Sequence, residues 1–149
     1  MKIKEKRNSF EELQVGKVFE TEEKVFPEKN LILGILWEGD LQIHSDREVM
    51  AEHPFGDRIV HGSSVTTMAL GLLFEMDPIR NTKMKLKQMS CSYVKPVYVE
   101  DAIKARFQII SKQVVSDSTV DIAFNFNVFR KDKDLACKGD VVISMTLNG

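Results

Sequence analysis

From Lys83 onward, apolar residues return at every second position, and this alternation constrains the fold more than any other feature of the chain. Met84 and Leu86 alternate with Lys83, Lys85 and Lys87, and Ile103, Ala105, Phe107 and Ile109 alternate with Lys104, Arg106 and Gln108. Val120, Ile122, Phe124, Phe126 and Val128 make a third series, and Val141, Ile143, Met145 and Leu147 a fourth. A period of two puts successive side chains on opposite faces, so each series predicts a long strand with one face toward a core. The stretch from Lys95-Pro96 to Asp101 reads as a longer connection. Ser116-Asp117-Ser118 and Lys131-Asp132-Lys133-Asp134 read as hairpin turns.

The upstream half supplies something for those strands to wrap. Gly62-Ser63-Ser64 opens a helix from Val65 to about Glu75, with Val65, Met68, Ala69, Leu72 and Leu73 on one face and Leu70 and Phe74 widening it. A helix so apolar is expected to be largely buried, and Asp77-Pro78 ends it. Lys17 to Phe26 has strand-forming ends and a charged centre, the pattern of an exposed edge strand. Glu28 to Trp37 reads as a short buried helix before Gly39. Ser45 and Glu48 have the spacing of a capping box, which predicts a helix from about Asp46 to Glu52. One edge strand, a buried helix and four antiparallel strands make an α+β domain whose sheet wraps around the helix, the hot-dog architecture. At 149 residues one domain, 1–149, accounts for the chain. A single apolar helix covers one sheet face only, so a homodimer is expected.

Charge and cysteine usage narrow the function classes. The formal net charge is -1, which carries no basic excess for nucleic acid or an anionic membrane. The basic N-terminus leads into no apolar run, and no later run reaches membrane-spanning length, so a cytoplasmic protein without membrane insertion is expected. Cys91 and Cys137 have neither Cys-x-x-Cys nor Cys/His ligand spacing, which favours free thiols over a metal centre or disulfide.

All three histidines fall between Trp37 and Met68, together with several carboxylates and a glycine before a helix. His44-Ser45-Asp46, then Pro54-Phe55-Gly56-Asp57-Arg58-Ile59-Val60-His61-Gly62, then Lys95-Pro96-Val97-Tyr98-Val99-Glu100-Asp101 resemble the MaoC-like (R)-specific enoyl-CoA hydratases and dehydratases. That resemblance implies a hot-dog fold, an acyl thioester substrate on coenzyme A or an acyl carrier protein, and no metal or redox cofactor. It implies a homodimer or a dimer of dimers. Carried over residue by residue, it makes His44 the catalytic histidine, Asp40 its carboxylate partner and Gly62 the backbone donor to the thioester oxygen. The segment Asp40-Leu41-Gln42-Ile43-His44 is one residue shorter than the family's Asp-x-Asn-Pro-x-His motif and has Gln42 in place of Asn-Pro.

Chemistry alone asks for the same parts. Hydrating an α,β-unsaturated thioester needs a base for water, an acid for the α-carbon and donors at the oxygen that becomes enolate-like. Asp40 and His44, four residues apart, can share the first two tasks, or form an ion pair with no substrate. Glu38 is the alternative base. Gly62 opens a helix whose first N-H groups are unsatisfied, so it can hold an oxyanion or simply permit tight packing. His61 reads as a residue that orients the loop or fills the core, and Ser63 and Ser64 as helix caps or donors to a substrate carbonyl. Lys83, Lys85 and Lys87 share a strand face that can meet coenzyme A phosphates, an acidic carrier protein or only solvent. A hot-dog thioesterase and a non-catalytic acyl-thioester-binding module are the competing functions.

Overall fold

The computed structural model describes residues 10–39, 41–131 and 133–146, with the side chains of Glu38 and Asn81 outside that description. Strands β1 (Val18–Glu20) and β2 (Lys24–Val25) precede three helices, α1 (Lys29–Glu38), α2 (Gln42–Ser45) and α3 (Arg47–Ala51). Helix α4 (Gly62–Phe74) follows, then β3 (Lys83–Tyr93), β4 (Ala102–Ser116), β5 (Thr119–Arg130) and β6 (Asp134–Thr146). The sheet is antiparallel in the order β1-β4-β5-β6-β3, with β2 also on β4. This is the hot-dog fold: one long sheet around one apolar helix.

In three of the four alternating series the pattern becomes the core directly, whereas β3 buries none of its residues fully and leaves Leu86 exposed, because it is the end strand of the sheet. Ile103, Ala105 and Phe107 of β4, Ile122, Phe124, Phe126 and Val128 of β5, and Val141, Ile143 and Met145 of β6 have no exposed surface. They meet Val65, Ala69, Leu70 and Leu73 of α4. The β4 and β5 rings interlock, with Phe107 and Phe124 edge-on at 6.2 Å between centroids. Leu147, expected at the end of the last strand, lies outside the described residues.

Several expectations upstream are corrected. The edge strand expected over Lys17 to Phe26 is two short strands, because at Thr21 a side chain takes the place of a backbone carbonyl in the ladder to β4. The Thr21 side chain is buried; its hydroxyl accepts from the Ala105 N-H at 2.9 Å and donates to the Glu22 carbonyl at 3.0 Å. Helix α1 forms where expected but is not a buried helix. Leu31 and Gly34 face inward, while Ile32, Leu33, Leu36 and Trp37 are exposed. Gly39, at φ 94°, ends this helix in a left-handed conformation that favours glycine. The capping box at Ser45 does not form. Asp46 caps α3 by accepting from the Val49 N-H at 3.0 Å, and the Ser45 hydroxyl donates instead to the Leu41 carbonyl. Helix α4 begins at Gly62 itself with His61 at its N-cap, so Ser63 and Ser64 lie inside the helix and neither supplies a side-chain cap. A bulge between Leu86 and Gln88 breaks the regular spacing of the three β3 lysines, and Lys87 pairs with Asp121 at 2.6 Å.

Candidate active site

Helix α2, the segment 59–61 and the start of α4 deliver His44, His61, Gly62 and Ser63 to one cavity. Backbone bonds clamp that segment on both sides. The Ile59 N-H donates to the Ile43 carbonyl at 3.0 Å, and the Val60 N-H donates to the Val97 carbonyl at 2.7 Å. Val97 belongs to the turn before β4, which is held from within: Asp101 is buried and accepts the Tyr98 N-H at 3.0 Å. Arg130 lies across Asp101 at 3.4 Å, and the Tyr98 hydroxyl donates to the Phe55 carbonyl at 2.9 Å. An ion pair of Arg58 with Glu28, at 2.6 Å, ties the same segment to the start of α1. It holds the Glu28 carboxyl below its ordinary range, chiefly through the Arg58 hydrogen bond.

His44 is buried, and its Nδ1 lies 2.7 Å from the Ile59 carbonyl oxygen. A carbonyl only accepts, so Nδ1 carries the proton and neutral His44 keeps its lone pair on Nε2. The ring stacks on His61, with centroids 3.6 Å apart and planes 23° apart. His61 is itself buried against α1 at Gly34, where any Cβ would overlap the imidazole. His61 is thus packed between α1 and His44.

Gly62 is the first residue of the 13-residue α4, so its N-H belongs to the turn whose donors lack partners within the helix. The Tyr93 ring packs directly on it; a Cβ at Gly62 would stand 2.5 Å from Tyr93 Cε1. Partial burial raises the Tyr93 phenol above its ordinary range. Cys137 lies opposite Tyr93 in the β3–β6 register, and burial pushes both the Cys91 and Cys137 thiols up.

His44, His61, Gly62, Ser63 and Tyr93 line one cavity of about 550 Å³ whose remaining walls include Val60, Val65, Val94, Val97 and Ala136. A largely apolar chamber with a few polar groups in its lining suits a small-molecule site. Asp40 lies outside the described residues, and so does the side chain of Glu38. Lys83, Lys85 and Lys87 do not line the cavity; the lysine at its wall is Lys95, paired with Asp134. Sequence reasoning missed Tyr93 and Gly34, and named Lys95 only within the motif that carries the resemblance. Tyr93 ends an alternating strand with nothing in its neighbours to mark it, and Gly34 sits within an apolar run. Among the described residues, no group of three or more His, Cys, Asp or Glu side chains could hold a metal ion.

The sequence model of the MaoC like domain matches residues 12–125. The chain belongs to the MaoC-like dehydratase family. It is 28% identical over 116 residues to Protein MaoC of Klebsiella aerogenes, a match covering 77% of this chain and 34% of that protein. The chain therefore spans about a third of the length of this MaoC relative. The (R)-hydratase of A. caviae involved in PHA biosynthesis superposes with a TM-score of 0.75 at 24% identity, covering 91% of this MaoC-like chain and 98% of the other. The R-hydratase PhaJ1 of Pseudomonas aeruginosa gives a TM-score of 0.75 at 21% identity, covering 94% and 86%. These two likenesses show the shared fold.

Proposed function

We propose that this MaoC-like protein is a cytoplasmic hydratase/dehydratase that adds water to a 2-enoyl thioester or removes it from a 3-hydroxyacyl thioester. The observation that carries this reading is the convergence of a tautomerically set histidine, His44, and a helix-start glycine, Gly62, on one largely apolar cavity. In hydration, His44 Nε2 and Asp40 hold and deprotonate water. The oxygen bonds to the β-carbon and the π electrons move toward the thioester carbonyl, whose oxygen accepts from the Gly62 N-H at the positive end of α4. The proton then returns to the α-carbon, and dehydration is the reverse. Apolar walls take the acyl chain and exclude bulk water. The reaction needs no metal or redox cofactor. Among the described residues no helix is long and apolar enough to cross a membrane.

The test is a panel of 2-enoyl-CoAs followed by loss of enoyl absorbance. Hydration is expected, with His44→Ala and Asp40→Asn each lowering kcat by roughly 10²–10⁴ without unfolding. Absence of hydration by the folded protein on enoyl thioesters of every length, on both CoA and carrier protein, would refute the reading. Thiol release from saturated acyl-CoAs would assign hydrolysis instead, and tight binding without turnover would assign a binding module.

The same reading includes a homodimer, or a dimer of dimers, built on β3. That strand closes one end of the sheet and exposes Leu86 and Tyr93, with Val94 exposed just beyond it. Sedimentation at the monomer mass would rule this assembly out.

A further inference from the structure

A second cavity, about 510 Å³, lies beside the first, and Ser63 lines both. The two chambers therefore adjoin one residue beyond Gly62. Lys29, Leu33 and Trp37 line the second from α1, spaced four apart on one helix face, and Lys24 lines it from β2. Ser64 and Thr67 of α4 add hydroxyls opposite. Lys29 and Trp37 are eight residues apart, about 12 Å along the helix. Neither Lys24 nor Lys29 is paired with a carboxylate among the described residues. Trp37 is 76% exposed, an indole left largely uncovered by the protein.

Two cations, a row of hydroxyls and an open aromatic face together complement a ligand that is anionic at one place and aromatic at another. We propose that this groove holds the nucleotide end of a coenzyme A thioester. Adenine stacks on Trp37, the phosphates meet Lys24 and Lys29, and the pantetheine arm crosses Ser63 to bring the thioester carbonyl to Gly62. The direction of that arm rests on the hydratase/dehydratase reading of the adjoining cavity. A carrier protein brings the phosphopantetheine but no adenine, so stacking at Trp37 separates the two thioester carriers.

Trp37 is the only tryptophan in the chain, so its fluorescence reports on the groove without any turnover. The full chain is titrated with CoA, adenosine 3',5'-bisphosphate and 4'-phosphopantetheine. The first two are expected to give a saturable change in Trp37 emission, and the third none. Lys24→Gln and Lys29→Gln are each expected to raise the Kd for CoA about fivefold, the size of a partly exposed charge contact, with affinity falling as salt rises. An unchanged emission with CoA, or a Lys24→Gln/Lys29→Gln double variant that binds CoA as the wild type does, overturns the proposal. If an enoyl-CoA is hydrated while Trp37 is silent, the groove assignment falls and the reaction stands. If CoA binds as described and no enoyl thioester is hydrated, the reaction falls and the groove stands.

Discussion

Gly62 shows how much chemistry a missing methyl group permits. Alanine there keeps the N-H but places a Cβ 2.5 Å from the Tyr93 ring, so the ring must move or the start of α4 must shift. Gly62→Ala is expected to lower kcat for enoyl thioester hydration by about 10–100-fold, less than the roughly 10²–10³ of losing an oxyanion donor outright, because the N-H is kept and only displaced. Adding Tyr93→Ala removes the obstructing ring and should recover part of that loss. Steady-state kinetics of both variants, with thermal melts beside them, make the check. A double variant no faster than Gly62→Ala would mean that Tyr93 is not the obstruction. Gly34 carries the same lesson at one remove, since it admits the His61 ring that stacks on His44. Neither close approach could be read from the chain, because a glycine in a sequence does not say what leans on it.

The turn before β4 is the element that holds the site open, although it contributes only wall residues to the cavity. Asp101 fixes Tyr98, Val97 fixes Val60, and Val60 leads into His61 and α4. Asp101→Ala removes the acceptor for the Tyr98 N-H and one partner of Arg130, whose side chain is 13% exposed. The expected cost is about 1–3 kcal/mol, measured by urea denaturation. A larger fractional loss of kcat than of folded protein should accompany it, because the segment carrying His61 and Gly62 loosens first. An Asp101→Ala protein with wild-type stability would show the turn to be held by other bonds. The Lys95 to Asp101 stretch was legible as a connection; that it buttresses a segment some forty residues upstream was not, since that link is a backbone bond and a tyrosine hydroxyl reaching across the fold.

At the scale of the molecule, ion pairs join elements distant in sequence, among them Glu28 with Arg58, Lys87 with Asp121 and Lys95 with Asp134. Each of these lowers its carboxylate below the ordinary value, the cation's hydrogen bond being the largest cause. A carboxyl held lower in the folded than in the unfolded chain stabilises the fold above its unfolded pKa, about 4, and that stabilisation is lost as pH falls through the folded pKa. The melting temperature should therefore drop as the pH is lowered from 6 toward 3, and less steeply in Asp134→Asn. An identical slope in that variant would remove Asp134 from the account. The sequence by itself determined the four long strands, the apolar helix they enclose and the segment that carries the candidate site, because periodicity and helix breakers are local properties of neighbouring residues. Only the tertiary structure decided that α1 keeps one face open, that Tyr93 covers Gly62, that His44 has its tautomer set by Ile59 and that two cavities meet at Ser63. Those are contacts between residues far apart along the chain, and packing in three dimensions, not spacing along one, selects them.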